Sequence, residues 1–365
     1  MFEFVLQGMS LDSAQRMFES YLITSNRTSE KQETKLLLEE LLYLPLAIVQ
    51  AAAYINIKTI TLKEYRSQLI KQKKEALELS SELSEGKLQD CDTKNPVTTT
   101  LLISLDQIRH NNSLATDYLF LAACVDRKDI PLDLLGATSP PEREEAVGVL
   151  NAYALITRPA ESAFDLHRLV HIAIRKWLQK QEWLGQWIQK AIRRLLTVFP
   201  DDSNESRSKW RRLLQHAKYA LSYSLTEQEN EDRTNLVWKC AITLYSDGRY
   251  NESEELFIRA METSKTKLGA DHSSTPISMT NLASTYRNQG RWDEAEQLFV
   301  QAMETSRTKL GADHPSTLTS IGNLASTYRN QGRWEEAEQL EVQVPKNPTS
   351  ESRGAKPRFK RRLSI

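Results

Sequence analysis

Apolar and small side chains recur at intervals of three and four residues through most of the chain, the spacing that gathers them on one face of an α-helix. Between residues 279 and 302, Met279, Leu282, Ala283 and Tyr286 mark one such face and Ala295, Phe299 and Ala302 the next, with Asn-Gln-Gly between the two sets. The pattern predicts a pair of helices. Small Ala283 and Ala295 let the backbones approach, Tyr286 and Phe299 fill the adjoining space, and the glycine supplies a φ-permissive end to the first helix. The twelve residues NLASTYRNQGRW begin at Asn281 and again at Asn323, and the turn glycines Gly248, Gly290 and Gly332 are each 42 residues apart. Residues 235–344 therefore read as about 2.5 units of one repeat, the first unit degenerate and the last leaving the pattern at Pro345.

Upstream the periodicity changes character twice. Residues 1–80 read as helices: SLDSAQRMFESYL, with Ser10 or Asp12 as its cap, then two helices meeting at Pro45 within TSEKQETKLLLEELLYLPLAIVQAAAYI. The polar stretch 81–96 reads as a linker. Over 97–200, helical patterns in VTTTLLISLDQIRH, SLATDYLFLAACV, PLDLLG and PEREEAVGVLNAY precede ALITRPAESAFDLH, two short strands about a Pro-Ala-Glu-Ser turn. Helices followed by a β-hairpin in that order predict a winged-helix-like domain, and residues 201–234 read as a helical connector. The fold class expected is mainly α, ending in an α-solenoid.

Composition adds little until charge is placed along the chain. Of 365 residues, 40% are hydrophobic and 26% charged, ordinary for a globular protein. No apolar run approaches the ~20 residues of a membrane span. Cys91, Cys124 and Cys240 lie far apart with no Cys-x-x-Cys, which argues against a disulfide framework and a zinc site and, with an N-terminus unlike a secretory signal, makes the cytoplasm the expected location. The formal charge is zero, yet Pro345–Ile365 carries seven Lys or Arg against Glu351, so a mildly acidic body precedes a basic tail, read as disordered.

The seven apolar and small positions of the repeat resemble those of the tetratricopeptide repeat. A 42-residue unit with the loop LGADHP looks like the kinesin-light-chain type of such an array, lengthened from the usual ~34 residues. Tyr43-Leu44-Pro45-Leu46-Ala47 resembles the GLPLA segment of NB-ARC nucleotide-binding switch proteins with Tyr43 in place of its glycine. Leu166-His167-Arg168-Leu169-Val170 resembles their Met-His-Asp-Leu-Val segment, with Arg168 in place of the Asp. The resemblance implies an adenine-side contact at Pro45 and a phosphate-sensing histidine at His167, both read here as vestigial. Gly86-Lys87 is followed by Leu88 and lacks the glycines of a phosphate loop, so ATP or ADP is expected as a cofactor only if such a domain lies upstream. The chain looks like the later part of a fungal-type NB-ARC/tetratricopeptide receptor, a remnant or partial gene model that begins after the ATPase core.

No nucleophile–base pair stands out. His167 and His171 are one helical turn apart, but Arg168 stands where H-E-x-x-H has its Glu and no third ligand is evident, so no metal is expected. Glu142, Glu144 and Glu145 on the helix that would enter a DNA groove repel phosphate, so nucleic acid is not expected as a partner. The reading is a non-enzymatic scaffold that binds protein or peptide segments on a concave face lined by the first helix of each repeat. Asn281, Ser284, Thr285, Arg287 and Asn288, taken to point away from the helix pair, are the expected contacts, with their copies Asn323, Ser326, Thr327, Arg329 and Asn330. Self-association is a further option. The alternatives are a nucleotide-regulated switch whose phosphate loop is missing, and a kinesin-light-chain-like adaptor, for which residues 1–80 lack sustained heptads. At the array's end, Glu341 stands where Phe257 and Phe299 stand earlier, so the final helix is expected to stop near Val344 and be only marginally ordered.

Overall fold

The computed structural model describes residues 8–23, 31–81, 96–136, 139–200, 204–223, 231–268 and 274–342. Of the expected linker 81–96, residues 82 to 95 lie outside the described residues, as do the basic tail and Cys91, while residues 81 and 96 belong to helices. The chain divides into two compact units, Met1–Leu236 and Val237–Ile365.

In the first unit, α1 (Leu11–Tyr21) begins where the Ser10 hydroxyl accepts the Ser13 amide, and it buries Ala14 and Phe18. α2 (Lys31–Glu40) and α3 (Pro45–Lys58) are joined by a turn in which Leu42 and Tyr43 hold φ of +50° and +54°. Left-handed backbone costs an L residue roughly 1–2 kcal/mol, so the turn needs outside support. The Met9 amide donates to the Tyr43 carbonyl at 2.9 Å, and Gly8 lies so close to Leu42 that a β-carbon would meet its carbonyl oxygen at 2.5 Å. Pro45 thereby becomes the first residue of α3, where its missing N–H costs nothing. α3 buries Ala47, Ile48, Ala51, Ala52 and Ile55. α4 (Leu62–Ser81) is tied to α2 by Arg66, which pairs with Glu33 at 2.5 Å and Glu40 at 3.0 Å.

α5 (Pro96–Asn111), α6 (Ser113–Ala122) and α7 (Pro140–Ala152) precede the hairpin, and α8 (Arg168–Lys180), α9 (Leu184–Val198) and α10 (Arg207–Leu221) follow it. The Thr100 hydroxyl donates to Gln50 at 2.8 Å in the buried contact between α5 and α3. β3 (Ala163–Leu166) lies between β1 (Ile130–Pro131) and β2 (Ile156–Ala160), antiparallel to both. The turn of the hairpin is Glu161-Ser162, because Pro159 and Ala160 belong to β2. A two-residue β1 has no alternation by which to be read from sequence, and PLDLLG forms a 3-10 turn at Leu132–Leu135 rather than an α-helix.

The repeat array comprises α11 (Glu231–Ser246), α12 (Tyr250–Leu268), α13 (Ser274–Asn288), α14 (Trp292–Leu310), α15 (Pro315–Asn330) and α16 (Trp334–Glu341). Its first helix starts at Glu231, four residues ahead of the boundary read from sequence, since the acidic Glu231 and Asp232 suit a helix start. Gly248, Gly290 and Gly332 have φ of +78°, +80° and +80°. After α13 the Gly290 amide reaches the Arg287 carbonyl at 3.1 Å and the Arg291 amide the Tyr286 carbonyl at 2.9 Å, the paired bonds of a Schellman turn. Phe257 packs with Ala241 and Leu282, and Phe299 with Ala283, Ala295 and Leu324, so each buried aromatic is covered by the first helix of the following repeat.

Candidate protein-interaction surface

The polar residues expected to line the concave face fall into three environments. Asn281 and Ser284 are buried, which corrects the expectation that they point away from the helix pair. Ser284 donates to the Thr280 carbonyl at 2.8 Å, and Thr285 and Thr327 donate to the Asn281 and Asn323 carbonyls at 2.9 Å, so these hydroxyls are spent on their own helices. The arginines turn toward the second helix of their own hairpins. Arg287 lies 5.7 Å from the Phe299 ring centroid and donates to the Asn323 carbonyl at 3.3 Å, which ties α13 to both α14 and α15. Arg329 instead pairs with Glu341 at 2.6 Å. Asn288, Ser326, Arg329 and Asn330 remain exposed, with Asn288 donating to the Tyr245 hydroxyl at 2.8 Å. They form a polar row on α13 and α15.

A second periodic feature was not read from sequence. Arg291 stacks 4.0 Å from the Tyr286 centroid while pairing with Glu294 at 2.5 Å and with Glu254 of the preceding repeat at 2.8 Å. One period later, Arg333 stacks 4.0 Å from Tyr328 and pairs with Glu336 at 2.5 Å and Glu296 at 2.7 Å. Gln289 and Gln331 add bonds of 2.8 and 2.9 Å to the same Glu254 and Glu296. Hydrogen bonds donated to the carboxylates raise the Arg291 and Arg333 pKa values; burial works against Glu296, but Gln331 and Arg333 outweigh it and hold that carboxyl below its ordinary range. The signal was present as Arg and Glu repeating every 42 residues, but no helical period pairs a glutamate with an arginine 37 residues on. Asp293, Glu296, Gln297 and Val300 line a groove on α14.

The two nucleotide-associated positions have ordinary structural partners. Pro45 is exposed at the start of α3. His167 caps α8, its Nδ1 accepting the Leu169 amide at 3.3 Å, with packing around the ring and then Arg127 and Lys128 holding its pKa below the usual histidine value. His171, one turn on, is buried and donates from Nε2 to the Val125 carbonyl at 3.0 Å, and His216 likewise donates to the Asp129 carbonyl at 3.1 Å. Loss of water around these two rings is the first cause of their lowered pKa values. On the helix that would enter a DNA groove, Glu144 pairs with Arg158 at 2.7 Å while Glu142 and Glu145 stay exposed. Burial pushes the Cys124 thiol up to about 12. No single helix among the described residues is long and apolar enough to cross a membrane.

Residues 234–307 and 274–344 match the sequence profile of the tetratricopeptide repeat. A nucleotide-binding leucine-rich repeat (NLR)-like protein of Hyaloscypha variabilis is 36% identical over 274 residues, which cover 73% of this chain and 28% of that protein. The chain thus spans well under a third of that relative's length. A Podosopora anserina structure described as a kinesin light chain with nearly identical TPR-like repeats is 21% identical, covering 66% of this chain and 93% of its own, with a TM-score of 0.33. BtubC (BKLC) from P. vanneervenii is 13% identical, covering 52% and 91%, with a TM-score of 0.29. Residues 234–344 of this mainly α-helical chain therefore match the tetratricopeptide repeat, and 73% of the chain is similar to part of a fungal NLR-like protein.

Proposed function

We propose that the chain is a non-enzymatic protein-interaction scaffold, and that its array binds an extended segment of a partner protein along the first helices of the repeats. The observation that carries this reading is the exposed polar row of Asn288 on α13 and Ser326, Arg329 and Asn330 on α15, set on helices whose other faces are committed to packing. Carboxamides both donate and accept, which suits a peptide backbone, while Arg329 offers a fork to a carboxylate. Glu341 occupies that guanidinium in the free protein, so an acidic partner has to displace an exposed ion pair, a small cost.

A peptide library displayed against the full chain tests the proposal. Selected peptides are expected to bind wild type and to lose about tenfold in affinity with Asn288→Ala plus Asn330→Ala, the equivalent of ~1.4 kcal/mol. Peptides whose affinity is unchanged by this double substitution would place the binding surface elsewhere. The nucleotide-switch reading retains one supporting observation, the left-handed Tyr43 at the position of the motif glycine, and the adaptor reading has none beyond the repeats.

A further inference from the structure

At both interior junctions of the array the same bond is made: a glutamate on the second helix of one repeat, Glu254 or Glu296, accepts the turn arginine of the next, Arg291 or Arg333, at 2.8 or 2.7 Å. One period further the arginine-accepting position is Glu338 on α16, and Glu335 matches Asp293, which accepts the Gln331 amide at 3.2 Å; Gln339 and Val342 follow. Both glutamates are exposed and carry no side-chain hydrogen bond or ion pair among the described residues. The apolar part of the junction is also uncovered: Trp334 is 65% exposed against 40% for Trp292, and Val342 is 81% exposed. This edge continues an interface that the chain builds twice, and its two carboxylates have no donor among the described residues.

We propose that this edge is covered by the chain's own basic segment, residues 346–365, whose arginines take the place held at interior junctions by the turn arginine. The segment carries seven Lys or Arg against one Glu, with Arg353, Arg358, Arg361 and Arg362 among them, and it follows α16 after Val342 by only three intervening residues. α16 is 8 residues long, about 12 Å, whereas twenty residues of chain reach at most ~66–72 Å. The arginines can therefore reach any point of the edge, and tethering so short supplies them at an effective concentration on the order of millimolar. Arginine suits the task because its fork bonds a carboxylate while its plane stacks on an indole such as Trp334.

Hydrogen exchange of the α16 amides in the full chain tests this against two variants that leave the rest of the array unaltered. Replacing Arg353, Arg358, Arg361 and Arg362 by Gln changes no residue of α16, and Glu335→Gln plus Glu338→Gln removes the acceptors. Each variant is expected to speed α16 exchange by about threefold to tenfold at low salt. The combination is expected to do no more than the larger single effect, since both remove the same contact. Exchange unchanged by the arginine variant, additive effects in the combination, or α16 protection that rises with protein concentration, which would assign the edge to a second copy, each overturns the proposal.

Discussion

Gly290 has φ +80°, and a β-carbon there would touch nothing within 4 Å, so the cost of replacing it is one of backbone conformation. Gly290→Val should destabilise the array by roughly 1–2 kcal/mol, measured by chemical denaturation, while a variant as stable as wild type would contradict the Schellman assignment. Tyr43 is the reverse case, a large residue at φ +54° where the resembling motif has glycine. His171 and His216 make a different prediction. Both are buried neutral with pKa values below their unfolded value of about 6.5, so the unfolded chain takes up protons first as pH falls. Their contribution to stability is complete above that value and is lost progressively below it, down to the folded pKa. Denaturation of the first unit at pH 7.5, 6.0 and 5.0 should show declining stability, and the slope should flatten in His171→Gln plus His216→Gln. A flat wild-type profile would remove the argument.

At the level of helices, the repeat was legible because its signals are local: the small and aromatic positions named from spacing, Ala283, Ala295 and Phe299, are the buried ones. What was not legible depends on contacts 35 to 37 residues apart, such as Gln331 to Glu296 and Arg333 to Glu296, which no helical period reveals. The same limit explains the polar row. Spacing placed Arg287 and Arg329 on the outward side, but long side chains fold back to the nearest ring or carboxylate, Phe299 or Glu341. Glu341 stands at the position of the buried Phe257 and Phe299, yet it is only partly covered and pairs with Arg329, and α16 closes at Glu341, short of the expected Val344. Glu341→Phe exchanges an exposed ion pair of small worth for a buried aromatic contact worth up to ~2 kcal/mol. Slower exchange of α16 amides is the expected outcome, and unchanged exchange would show that the aromatic position no longer exists in the last repeat.

For the whole molecule, the account separates protein binding from nucleotide binding. Pro45 at a helix start and His167 as a cap supply no cradle of backbone amides for phosphates. Calorimetry with ADP should therefore give a dissociation constant weaker than micromolar, and a micromolar value would restore the switch reading. Whether the first helices of the repeats receive a partner segment is read by a hydrogen-exchange footprint of the full chain with and without a saturating peptide selected on it. New protection is expected on α13 and α15, around Asn288 and from Ser326 to Asn330, with residues 96–200 unchanged. Protection confined to residues 96–200, or none on α13 and α15, would contradict it.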